Sequence, residues 1–179
     1  MKQWTFAALL ALAVVPAVAT AGSIGLGVFG GPSFPILDSN AGNGSQFGVR
    51  VPVNLVPLLS VEPFYAKSSL GDKEETFGGI SYTRSGPDVS TFGANVMLSI
   101  GGPFQFYPFV GIGSSKIEQS GVSDITKTSY DFGVGFGISP MPKLSVQLRA
   151  EMNAVVTGDT SRKFGNITAG ASYALFSLP

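Results

Sequence analysis

Along most of this chain the apolar positions recur at every second residue. Between Gln46 and Leu55, Phe47, Val49, Val51, Val53 and Leu55 share one phase, while Gln46, Gly48, Arg50, Pro52 and Asn54 share the other. Leu144, Val146, Leu148, Ala150 and Met152 alternate with Ser145, Gln147, Arg149 and Glu151. Tyr130, Phe132, Val134, Phe136 and Ile138 alternate with Asp131, Gly133, Gly135 and Gly137. A period of two marks a β-strand, because successive side chains point to opposite faces of the sheet. No segment after Gly22 sustains a helical period. Eight strands are expected, near residues 23–34, 45–56, 58–69, 89–100, 104–116, 128–139, 143–155 and 164–176.

The connections fall into two classes that alternate along the chain. Three are short: Pro57 with its neighbours, Gly101-Gly102-Pro103 and Pro140-Met141-Pro142. Four are longer and polar, around residues 35–44, 70–88, 117–127 and 156–163. This layout predicts an all-β fold, an eight-stranded antiparallel up-and-down transmembrane β-barrel with both termini at the short-turn end. Each segment has the roughly 9–11 residues that a tilted strand needs to cross a bilayer. Pro52, Pro63 and Pro108 fall within strands and cannot donate to the ladder, so bulges or breaks are expected there.

Alternation alone also fits a soluble barrel with an apolar interior. The two faces differ in a way that favours the membrane. A water-facing surface is about 25–35% charged, whereas the polar phase here is mostly Gly, Ser, Asn and Gln. The apolar phase carries aromatics towards both strand ends: Phe47, Tyr65, Phe92 and Tyr130 at the loop end, Phe104, Phe106 and Tyr173 at the turn end. Two aromatic belts are what the two interfaces of a bilayer select.

The start of the chain has a different character. Lys2 precedes an apolar run from Phe6 to Val15, then Pro16 and small residues, ending in Ala19-Thr20-Ala21. This reads as a secretory signal peptide over residues 1–21, cleaved before Gly22, leaving a barrel domain over 22–179. The run is shorter than the roughly 18 residues a spanning helix requires. No cysteine follows it, which excludes a lipoprotein anchor.

Composition narrows the function. Charged residues make up 12% of the chain, hydrophobic residues 44%, and the formal net charge is zero, so no basic footprint for nucleic acid exists. There are no cysteines and no histidines. That removes disulfides, thiolate chemistry and the commonest general base and metal ligand. No catalytic triad can be assembled in the usual way, and no enzymatic activity, cofactor or metal is expected.

Phe106-Tyr107-Pro108-Phe109-Val110-Gly111-Ile112-Gly113 is an aromatic-Pro-aromatic-x-Gly-x-Gly strand. Thr168, Gly170, Tyr173 and Leu175 form a polar, glycine, aromatic, hydrophobic series near the end, followed by Phe176-Ser177-Leu178-Pro179. With the strand layout, these segments make the chain resemble the small eight-stranded outer-membrane β-barrels, the OmpA/OmpX-like group. The resemblance implies a Sec-exported protein of the bacterial outer membrane, in contact with its lipids and lipopolysaccharide. It also implies that Thr168, Gly170, Tyr173 and Leu175 act as the signal read by the outer-membrane assembly machinery. The group holds structural anchors, adhesins, immune-evasion proteins and a few lipid-modifying enzymes; its acyltransferases and deacylases use a histidine that this chain lacks.

Two constellations are candidates for function. Arg50, Glu62, Asp131, Arg149 and Glu151 share the polar, inward phase. A pivot at Val56 sets Arg50 opposite Glu62, and a pivot at Met141 sets Asp131 opposite Glu151 with Arg149 one step along. These charges would either fill the lumen as an ion network or line a narrow, selective pore. An eight-stranded barrel is only just wide enough for side chains to fill, which favours the network. Outside, the 70–88 connection carries Asp72, Lys73, Glu74, Glu75, Tyr82 and Arg84. It is expected to prolong the neighbouring strands above the membrane, either as a solvated loop or as an edge that binds an unidentified surface ligand by strand pairing. The leading expectation is a structural or surface-interaction barrel. The alternative is a narrow pore or a path for small hydrophobic compounds.

Overall fold

The alternating segments close on one another. The computed structural model describes residues 22–36, 41–56, 58–157 and 161–177; the expected signal peptide lies outside the described residues. Twelve strands form: β1 (Ser23–Pro35), β2 (Gly42–Arg50), β3 (Val53–Val56), β4 (Leu59–Gly71), β5 (Lys73–Phe77), β6 (Ile80–Arg84), β7 (Asp88–Leu98), β8 (Ile100–Gly101), β9 (Phe104–Gln119), β10 (Val122–Met141), β11 (Leu144–Val156) and β12 (Ser161–Ser177). β2 and β3 are two pieces of one stave, and β12 pairs back onto β1. The result is a closed antiparallel barrel of eight staves, with no open edge around its wall.

The prolines divide as the ladder dictates. Pro52 falls in the gap between β2 and β3, and its carbonyl accepts from the Gly25 amide. Pro63 and Pro108 do not break their strands, contrary to expectation. The Pro63 carbonyl accepts from Val51, so the side of Pro63 that lacks a donor faces the Val51–Pro52 gap. Pro108 pairs with Val134, while the pairing of β9 with β7 ends at Phe109–Met97.

The connection around 117–127 also differs from its expected form. β9 and β10 run on as a paired ladder to a two-residue turn at Ser120-Gly121, where Gly121 has φ 81°. The 72–87 region folds as a separate two-stranded hairpin, β5–β6, rather than an extension of β4 and β7. Its turn is Gly78-Gly79, with φ 61° and 83°; glycine takes these left-handed values without steric cost, as a tight hairpin requires.

Between the aromatic belts the apolar phase points outward. Val28, Val49, Val96, Val110, Ile112, Val134 and Leu148 are all exposed. Phe47, Tyr65, Phe92 and Tyr130 ring one end, and Phe104, 79% exposed, lies with Phe106 and Tyr173 at the other. Beyond the upper ring the phase reverses. Lys67, Asp88, Lys116 and Glu118 stand outside, while Leu70, Val89, Ile117, Val155 and Phe164 are buried inside. Val89, Ile117, Val155 and Phe164 form one apolar cluster that caps the lumen at the long-loop end. Above the bilayer the outside is water, so the barrel there is built like a soluble one.

Candidate functional site

Inside the membrane-spanning part, large side chains need room that only missing ones can supply. Phe29 pairs across strands with Gly48, Phe64 with Gly93, Phe109 with Gly133 and Tyr107 with Gly135. A Cβ on Gly48 would come within 2.5 Å of the Phe29 ring, and one on Gly133 within 2.7 Å of Phe109. Each ring takes up the space that a side chain at the paired glycine would need, which helps fix register and fills the lumen.

The five charged residues expected inside are all there. Arg50 and Glu62 are 1% exposed, and Asp131 and Arg149 are also buried. Glu151 shares their small central cavity. Their partners differ from the expected ones. Arg50 lies opposite Phe64, because the β3–β4 ladder closes at Val56–Leu59 and shifts register beside it. Asp131 lies opposite Asn153, and Glu151 opposite Gly133, because the β10–β11 turn comes at Pro142-Lys143 with a shift after Ile138. Both corrections move the pairing by two residues, which keeps every side chain on its expected face.

The strongest contact runs across the barrel. Arg149 on β11 donates to both oxygens of Glu62 on β4, from Nη1 at 2.5 Å and from Nη2 at 2.8 Å. Its Nε donates to the Tyr107 hydroxyl at 3.1 Å, and Nη2 also reaches Gln147 Oε1 at 2.8 Å. Tyr107 in turn donates to Gln147 Oε1 at 3.1 Å. The guanidinium stands over the rings of Tyr107 and Phe109, 5.2 and 5.3 Å from their centroids. Such a forked pair holds two staves of the lumen in a set relation.

Arg50 stacks over Phe29 at 5.2 Å, with its Nε 3.9 Å from Glu62. Gly170 leaves the space its guanidinium occupies. Glu151 accepts from Asn166 Nδ2 at 3.1 Å. Among the described residues, neither oxygen of Asp131 has a hydrogen-bond partner. The free space in this layer is about 10 Å³, roughly what one water centre needs. Below the layer, at the short-turn end, the lumen widens into a cavity of about 260 Å³.

Pairing Arg149 with Glu62 could not have been found from sequence, since these residues stand 87 positions apart on non-adjacent strands. The apolar cap was equally missed, although Lys116-Ile117-Glu118 and Asp88-Val89-Ser90 already carry the reversed phase.

Outside, Lys67 pairs with Asp88 at 3.0 Å, and Lys116 with Glu118 at 2.6 Å and Asp124 at 2.8 Å. The hydrogen bond to Asp88 holds Lys67 above the usual lysine range and Asp88 below the usual carboxylate range. Asp124, then Glu118, likewise raise Lys116. In the β5–β6 hairpin, Lys73 lies opposite Arg84, Glu74 opposite Thr83 and Glu75 opposite Tyr82. Glu74 and Tyr82 are exposed, and Asp72 Oδ1 accepts from the Gly86 amide at 3.0 Å. The side chains of Glu75 and Arg84 lie outside the described set. At the C-terminal end, Thr168 is buried in the lumen, while Tyr173 and Leu175 face outward. A bulge beside Leu175 sets Phe176 opposite Ile24, where it is exposed too.

A family model described as "Outer membrane protein beta-barrel domain" matches residues 5–174. No curated protein matches the sequence. Among solved structures, the fold is similar to Neisserial surface protein A, with TM-score 0.66 and 14% identity over 86% of this chain and 99% of that one. It is similar to a major outer membrane protein of Thermus thermophilus, with TM-score 0.59 and 14% identity over 87% and 100%. It also resembles the N-terminal barrel of Pseudomonas aeruginosa OprF, with TM-score 0.53 and 11% identity over 84% and 97%.

Proposed function

This chain belongs to the outer membrane protein β-barrel family and resides in the bacterial outer membrane, and we propose that it is a sealed barrel that presents surface hairpins for interaction. The observation that carries this reading is the lumen. The Arg149–Glu62 layer leaves about 10 Å³ of free space, and the apolar cap of Val89, Ile117, Val155 and Phe164 lies above it. A hydrated ion path would have to open both layers, which weighs against the pore reading.

What the barrel presents is the β5–β6 hairpin. β5 and β6 form a two-stranded sheet of their own, and such a sheet has outer edges to which an incoming strand can add. Among the described side chains, Asp72, Lys73, Glu74 and Tyr82 would set which strand is accepted. Lower on the barrel, Lys67 and Lys116, already paired with Asp88, Glu118 and Asp124, would be the cations available to the phosphates of lipopolysaccharide. Tyr173 and Leu175 face outward on the last strand, and in this reading the assembly machinery would recognise them.

The test replaces residues 72–87 with a short Gly-Ser turn in the full protein. Folding is checked by heat-modifiable migration, and proteoliposomes are then assayed for surface proteins captured by the intact chain. Loss of capture with folding retained supports the reading; undiminished capture overturns it.

A further inference from the structure

The cavity of about 260 Å³ at the short-turn end lies on the opposite side of the charge layer from the hairpins, and the surface-interaction reading makes no use of it. Its wall mixes hydroxyl and amide groups with apolar side chains such as Pro52, Val56, Met97 and Leu144. Ser23, Ser60, Ser99, Ser139, Ser145 and Ser172 line it. Asn54, Gln105 and Gln147 add amides, and Tyr107 adds a phenol on the side of the charge layer. Lys143 is the only charged residue among the described lining residues.

The polar groups are already partly ordered. Ser60 donates to Asn54 Oδ1 at 2.7 Å, and Asn54 Nδ2 donates to Ser23 Oγ at 2.7 Å. Gln147 Nε2 donates to Ser145 Oγ at 3.3 Å. Ser172 is 5% exposed and its hydroxyl is sealed into the wall, so the groups facing the cavity are those of its neighbours.

We propose that this vestibule binds one neutral, polyhydroxylated sugar ring entering from the periplasm. The lining favours this class over others. A zwitterion needs a carboxylate to meet its ammonium, and none is among the described lining residues. A phosphate needs more than the single lysine. An apolar ligand would strand the serine hydroxyls. A sugar ring offers donors and acceptors all round, matching hydroxyls and amides that can serve as either. The volume falls just under the roughly 300–1,000 Å³ of pockets for drug-sized ligands, which suits one ring and excludes a longer glycan. The ring is either a free sugar or the end of a cell-wall glycan strand.

The test is a ¹⁵N NMR titration of the whole barrel in nanodiscs with N-acetylglucosamine, with a glycan-strand fragment, and with glutamate as a charged control. Saturable shifts at Ser60, Ser145 and Ser172 are expected with the sugar and not with glutamate. Ser145→Ala weakens binding about three- to tenfold, the effect of one hydrogen bond. Ser139→Trp at the mouth, which leaves the charge layer untouched, abolishes it. Saturation by the free sugar alone assigns a solute site, and saturation by the fragment as well assigns the end of a glycan. Absence of saturable shifts overturns the proposal, as does equal response to glutamate or binding undiminished in a folded Ser139→Trp protein.

Discussion

Two parts of one β-barrel are built on opposite rules. Between the aromatic belts, Val110 and Ile112 point out while Tyr107, Asn95 and Arg149 point in. A few residues further along β9, Lys116 and Glu118 point out and Ile117 points in. The strand does not change, and neither does its period. What changes is the solvent outside it: hydrocarbon in one part, water in the other. Polarity along a transmembrane strand therefore reports where the bilayer ends, and an apolar interior above that level caps a polar one below. The same boundary separates two kinds of ion pair: Arg149–Glu62 is sealed in the lumen, whereas Lys116–Glu118 is bathed in solvent.

The largest difference between the parts is expected at the charges. Glu62→Ala leaves Arg149 and Arg50 buried without their carboxylate and destabilises the barrel by about 3–5 kcal/mol. Glu118→Ala leaves the unfolding midpoint nearly unchanged, because exposed pairs contribute little. Denaturant unfolding in lipid bilayers measures both, and equal effects would break the comparison.

A charge placed on the outer face tests the position of the membrane edge. Val110→Glu on the hydrocarbon belt is destabilising by up to about 2 kcal/mol, whereas Ser90→Glu, outward above the Phe92 ring and between Lys67 and Lys116, costs close to nothing. A similar cost at both positions would put the bilayer edge higher than the phase reversal does.

A smaller change compares the two faces of β9 directly. Ile117→Val in the apolar cap opens a gap that the core cannot fill, a loss of about 0.5–1.5 kcal/mol. Ile112→Val, five residues away on the outer face, is near neutral because lipid chains move into the space.

The smallest effect is in pH. The Asp88 carboxyl is held below the ordinary range by Lys67, so its contribution is present above the unfolded pKa and is lost as pH falls through the folded one. A slight drop in the unfolding midpoint below about pH 4, reduced in Lys67→Ala and at high salt, would show that this pair is solvent-exposed.

Much of this was legible in the sequence. The period of two located every barrel stave, and the glycine-rich, weakly charged phase identified the lumen, because faces depend only on alternation. Register was less legible. Alternation sets Arg50 and Asp131 each two residues from their true partners, since a single residue at the Val56–Leu59 and Met141–Leu144 closures decides where a ladder starts. Arg149 with Glu62 was out of reach, because a contact across the lumen depends on how the closed sheet shears, which no local pattern encodes. The cap at Val89 and Ile117 was written in the reversed alternation of its own neighbours, and reading the strands with a single phase from end to end concealed it.

The central claim is that two successive layers close this lumen, and conductance through planar bilayers containing the purified protein tests it most directly. No stable ion-passing steps are expected for the wild-type protein. Stable steps whose size changes in Glu62→Ala or Arg50→Ala would contradict the claim and establish the charged layer as the lining of a pore.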